Sequence, residues 1–178
     1  GTFPYSGNLK GQPTFKRPLA VGDPPSFLSS LNNAVPYQTQ TFTVDTTRSG
    51  YEIIGRWRAS TGAPTGANPS ADGFILLYQN SFNPASPLTN ALSADDDYSD
   101  NSRNCSSAAG CSRLPISTGT LTLTAGVTYI VVASQFDSPP TNKVSQYTVD
   151  ILTPGNAQVL FPSSASVPEP SSILGLLG

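Results

Sequence analysis

Hydrophobic and polar positions alternate with a period of two through much of the middle of the chain. Over residues 37–44, Thr39, Thr41 and Thr43 fall on one side, and Gln40, Phe42 and Val44 on the other. Over 51–59, Tyr51, Ile53 and Trp57 share one side, while Glu52, Arg56 and Arg58 share the other with one apolar intruder, Ile54. Over 146–152, Tyr147, Val149 and Ile151 alternate with Thr148 and Asp150. This is the signature of half-buried strands. Residues 74–79 form an unbroken apolar run, as a central sandwich strand does, and 127–135 is the strongest strand pattern in the chain. Ala91–Ser93 opens a short strand, and Ile116 and 120–124 read as strand before the turn at Ala125-Gly126. The intervening stretches 61–72, 81–89, 95–111 and 137–142 are polar or rich in turn residues.

The pattern predicts seven or eight short strands between about residues 37 and 153, and hence an all-β fold: a single antiparallel β-sandwich or jelly roll. No segment is long enough to supply the crossover helices of a parallel sheet. Trp57, on the apolar side of its strand, is assigned to the core. Residues 1–36 read as an extended N-terminal arm with one or two short strands and a turn near 26–32. Its apolar residues (Phe3, Tyr5, Leu9, Phe15, Leu19, Phe27, Leu28, Leu31) follow no sustained period. Residues 154–178 read as a C-terminal arm, with a strand at 157–161. The prolines at 162, 168 and 170 then bar residues 162–170 from a sheet centre. The apolar residues Ile173, Leu174, Leu176 and Leu177 follow.

Composition fits many turns and little helix: 15 Gly and 17 Pro in 178 residues, with only 11% charged. The nine Lys and Arg are scattered, so no basic patch is concentrated enough to hold nucleic acid. A weakly charged surface rich in hydroxyls and amides permits self-association.

The chain has no His. That removes Ser-His-Asp and Cys-His catalysis and His-based metal centres. A carboxylate pair for glycoside hydrolysis is left, with Glu52, Asp72, Asp137 and Asp150 as candidates, but their spacing gives no support. The chain reads as non-catalytic. Cys105 and Cys111 are closely spaced and even in number, which predicts a disulfide and an oxidising compartment, two free thiols being the alternative. The one charge cluster is Asp95-Asp96-Asp97-Tyr98-Ser99-Asp100. Mutually repelling carboxylates favour a hard cation with oxygen ligands. Calcium held by Asp95, Asp97, Ser99 and Asp100, with Asp72 approaching from the preceding loop, is one reading, and a solvated acidic loop is the other.

Two stretches resemble known families. Val167-Pro168-Glu169-Pro170-Ser171-Ser172, followed by the apolar Ile173–Gly178, resembles the exosortase-dependent PEP-CTERM sorting signal of bacterial surface proteins. In that family an apolar membrane-spanning stretch and a basic cluster follow. The sequence in hand reaches Gly178 within the apolar part, short of the roughly 20 residues a span needs. The resemblance implies export, exosortase-type processing and a place at the cell surface or in the biofilm matrix. The core resembles the bacterial pre-peptidase C-terminal domain. The matching text is Gln40–Val44, Asp72–Tyr78, Ala94–Asp97, Leu121–Val132 and Gln146–Ile151, in the expected order. That resemblance implies a secreted, sandwich-like module with binding or packing roles.

Phe3, Tyr5 and Phe15 in one arm, and Val159, Phe161, Ile173 and Leu174 in the other, have no domain of their own to enter. They must pack on the sandwich or on a neighbouring copy. The expectation is therefore a non-catalytic extracellular structural subunit of a surface or biofilm-matrix filament, a homopolymer assembled by strand or arm donation. The alternative is a secreted adhesion or carbohydrate-binding module, calcium-dependent if the acidic cluster binds the ion, with extracellular polysaccharide as partner. An appendage cut from a larger secreted enzyme is a third reading, which the sorting signal on the same chain opposes.

Overall fold

Eleven strands build the described fold, in the order β1 (Thr2–Asn8), β2 (Thr14–Phe15), β3 (Val35–Val44), β4 (Arg48–Ala59), β5 (Gly73–Gln79), β6 (Ala91–Asp95), β7 (Cys111–Leu114), β8 (Leu121–Leu123), β9 (Tyr129–Gln135), β10 (Val144–Leu152) and β11 (Val159–Leu160). The structure is a computed structural model. It describes residues 1–19, 22–30, 34–59, 72–98, 100, 105, 111–117, 119–136 and 144–163. Among these residues there is no helix.

The strands form two antiparallel sheets packed face to face, a β-sandwich. One sheet runs β1-β10-β4-β7, with β8 also on β4. The other runs β11-β3-β9-β5-β6, with β2 also on β3. Between them lies the main core, where the inward residues of the alternating strands meet: Phe42 and Val44, Tyr51, Ile53 and Trp57, and Tyr147, Val149 and Ile151. The outward residues of β4 remain at the rim, with Arg56 paired to Asp150 and Arg113 to Glu52 (3.4 Å).

The unbroken apolar runs have a specific cause. Ile75 and Leu77 of β5 face the main core, while Phe74, Leu76 and Tyr78 face the opposite side. There the N-terminal segment covers the sheet and makes a second core with Phe15, Val35, Ile130 and Val132. Phe15, Tyr37 and Phe82 pack edge-to-face there, with ring centroids 5.1–5.6 Å apart. Arg17, 1% exposed, lies between the rings of Phe74 and Phe136, 4.6 and 4.2 Å from their centroids. Its guanidinium donates to the carbonyls of Phe136, Pro18 and Leu19.

Ile54, the intruder on the polar side of β4, is buried on the outer face of the first sheet. The Cys105–Cys111 disulfide, Tyr98 and Leu152 cover it. Cys111, read from sequence as the end of the irregular stretch 95–111, and residues 112–114, which carry no strand pattern, form β7 because Cys111–Leu114 pairs with Ile53–Arg56. Ile116 lies outside β8, in a bend, and Asp23 accepts hydrogen bonds from its N–H and from that of Ser117 (3.4 and 3.1 Å).

Candidate functional site

Two places in the fold bring the sequence candidates together. The first is the crossing from β6 to β7, where the chain passes from one sheet to the other. β6 ends at Asp95, which is buried, and its carboxylate accepts from the Arg113 N–H (2.6 Å). Asp96 follows with its carbonyl bonded to the Ser112 hydroxyl, which also accepts from the Trp57 indole N–H (3.0 Å). Asp72 arrives just before β5. The carboxylates of Asp72, Asp96 and Asp97 each offer an oxygen within 4.8 Å of the others.

The electrostatics match that crowding. Burial raises the Asp96 carboxyl to about 8, reinforced by the charges of Asp72 and Asp97 and opposed by Arg17. Burial likewise raises Asp95 to about 6, against the bonds it accepts from backbone N–H groups. Asp96 Oδ1 is buried with no hydrogen-bond partner among the described residues. Three convergent carboxylates suit a hard cation, with water or carbonyl oxygens completing the six to eight ligands calcium takes.

Of the candidate ligands named from sequence, Asp72 and Asp97 thus come together. Asp95 does not join them, because it is turned into the protein onto Arg113. Asp100 accepts from the Tyr98 hydroxyl (2.9 Å). Ser99 lies outside the described residues. Asp96 is the member of the group that the sequence reading did not name as a ligand. Among the carboxylates considered for hydrolysis, Glu52 and Asp150 are engaged with arginines, and Asp137 lies outside the described residues.

The second place is the seam where β1 of one sheet and β3 of the other approach. β1 lies along β10 from Thr2↔Leu152 to Asn8↔Gln146. Its inward residues Phe3 and Tyr5 pack on the main core. Tyr5 stands edge-on to Tyr147 and to Phe161, with centroids at 6.3 and 5.9 Å. Gln38 Oε1 of β3 bridges the seam, accepting from the Tyr147 hydroxyl (2.8 Å) and the Asn8 N–H (3.2 Å). Val159 of β11 is buried in the same core. The two terminal segments therefore close one seam, and Tyr5 and Phe161 are the side chains through which they meet. Phe15 belongs instead to the second core. Ile173 and Leu174, and Val167, Pro168, Glu169, Pro170 and Ser171 of the stretch that resembles a sorting signal, lie outside the described residues.

No protein-family model and no curated protein sequence matches the chain.

Proposed function

We propose that this chain is a non-catalytic extracellular structural subunit that builds a surface or biofilm-matrix filament by exchanging a terminal segment between copies. The observation that carries this reading is the contact of Tyr5 with Phe161: each terminal segment supplies an edge strand, one to each sheet, and together they complete the core. A core that needs its own ends can equally be completed by the ends of a neighbour, since every contact made within the chain is available between identical copies. The resemblance of Val167–Ser172 to a sorting signal supports export, and the buried Cys105–Cys111 disulfide suits an oxidising compartment. The test is negative-stain electron microscopy with sedimentation of the full chain and of chains lacking residues 1–36 or 157–178. Filaments that need the ends are expected. A full chain that stays monomeric overturns the reading.

The acidic cluster favours a second reading, a calcium-dependent secreted binding module. Its observation is the convergence of Asp72, Asp96 and Asp97. Chelator-sensitive binding to glycans or to a cell surface by the monomer, lost in Asp96→Asn with Asp97→Asn, is its expected signature. Glycan arrays blank with and without calcium overturn it.

A further inference from the structure

We infer that the exchanged element is β1. In the polymer, the Gly1–Leu9 segment of one copy occupies, along β10 of the next copy, the place it fills in its own. The inference rests on the filament reading above and adds which strand moves and where it lodges.

The strand is seated as a removable edge. Among the described residues it pairs with one neighbour, β10, and none of its seven residues is fully buried. Leu9, which follows it and is 1% exposed in the main core, must leave that core with it and fill the same place in the next copy. The segment that follows supplies a hinge. Gly11 has φ +74° and open space around it, and the Gln12 N–H to Leu9 carbonyl bond (3.3 Å) is the turn to be opened. Pro13 biases the residue before it towards extended backbone. Beyond the hinge the chain is anchored, because β2 pairs with β3 and Phe15 is buried in the second core. The mobile length is thus residues 10–13. Four residues span at most about 14 Å when extended, so donor and acceptor copies must be in direct contact.

The seat is selective. A Cβ at Gly7 would lie 2.2 Å from Tyr147 Oη and 2.3 Å from Gln38 Oε1. Two residues earlier, the Tyr5 ring occupies the gap between Tyr147 and Phe161. An aromatic residue followed two places later by glycine is therefore what the seat accepts, in one register, because a one-residue slip would turn Tyr5 outward. The chain's own Tyr5-Ser6-Gly7 meets that requirement. The occupant is a second copy of this protein.

Replacement is favoured over simple addition at the edges. Gly1 and Thr153 exchange both backbone bonds (3.0 and 2.9 Å). By alternation, Thr2, Pro4, Ser6 and Asn8 then direct their backbone groups away from β10. Pro4 has no N–H to offer there, and the Asn8 N–H is taken by Gln38. The β6 edge is covered by Gly22, which exchanges both bonds with Ala94 (3.0 and 2.9 Å), and β7 is covered by Tyr98 and Asp95. β3 is paired at its two ends by β2 and β11, and between them the Gln40 side chain folds onto the Thr41 carbonyl (2.9 Å). A β1-to-β10 exchange is heterologous. Repeated without closure, it grows a fibre.

Mixed cysteine variants test this directly. Ser6 and Thr148 face each other as a pair that shares no backbone bond, and both are accessible. Full chains carrying Ser6→Cys alone are mixed with full chains carrying Thr148→Cys alone, assembled and oxidised. A covalent dimer on a non-reducing denaturing gel, dispersed by reductant, is expected. The double variant Ser6→Cys/Thr148→Cys should give a ladder of covalent multimers from fibres. Oxidised as a monomer beforehand, it should fail to polymerise. Fibres that yield no mixed dimer, and only covalently closed monomer from the double variant, overturn the exchange of β1 while leaving the filament reading intact. A native chain that forms no fibre overturns both.

Discussion

Gly73 lies directly against the indole of Trp57: a Cβ at position 73 would sit 1.9 Å from Trp57 Cδ2. Gly73 opens β5 one residue after Asp72, and Trp57 donates to the Ser112 hydroxyl, which in turn is bonded to the Asp96 carbonyl. The glycine thus lets two sheets approach closely enough for the tryptophan to be wedged between them and bonded to the chain that carries the acidic cluster.

Gly73→Ala is therefore expected to displace the indole. Overpacking of this kind costs about 1–3 kcal/mol. Trp57 is the sole tryptophan, so its fluorescence maximum should shift to the red as the midpoint of urea unfolding falls. An unchanged midpoint would mean that the strands separate without cost.

Arg17 is a buried cation held by three carbonyls and two aromatic rings. Arg17→Lys keeps the charge but loses the planar fork and the stacking. A loss of about 2 kcal/mol or more is expected for Arg17→Lys, and a larger one for Arg17→Ala, which leaves buried carbonyls without donors. Thermal unfolding measures both. Equal stability of the Lys variant and the parent would show that charge alone suffices.

The carboxyls of Asp95 and Asp96 titrate near 6 and 8 in the folded chain, above the ordinary value of 3.8. A raised acid favours the folded state while protonated. The stability these groups contribute is full below about pH 4 and is lost as the pH rises through 6 and then 8. The melting temperature should fall across that window, and Asp96→Asn should flatten its upper half. Calcium must displace the Asp96 proton, so its apparent affinity should rise about tenfold per pH unit between 6 and 8. Calorimetric titration at three pH values checks the slope. A flat response would remove Asp96 from any cation site.

The Cys105–Cys111 bond covers Ile54. Replacing both cysteines with Ser should cost roughly 2–3 kcal/mol from the small loop alone, and more from uncovering Ile54. If Ile54→Thr in the reduced protein restores solubility lost on reduction, exposure of this apolar side chain is the cause. If reduction changes neither solubility nor stability, the cover is dispensable.

The strands of the sandwich were legible because alternation is local. Tyr51, Ile53 and Trp57 point inward wherever β4 is placed, since successive side chains of a strand face opposite ways. β7 was hidden because Ser112 and Arg113 look like loop. Their strand character comes from pairing with Gly55 and Ile54, more than 50 residues away in the chain. Asp95 falls outside the group formed by Asp72, Asp96 and Asp97, a difference that residue type and spacing alone do not encode. As the last residue of β6 its direction is already set, and it turns inward to Arg113.

Sequence alone determined the class of fold, the closely spaced pair of cysteines and the absence of histidine chemistry from these residues, because each depends on residue type and short-range spacing. Tertiary structure decided why Ile54 is apolar, why β5 and β9 are apolar on both faces, and which carboxylates meet. It also decided that the N-terminal segment is two things: β1, an edge strand on a hinge, and the Phe15–Arg17 stretch that seals the second sheet. Those depend on contacts such as Arg17 to Phe136, 119 residues apart, which no local pattern encodes.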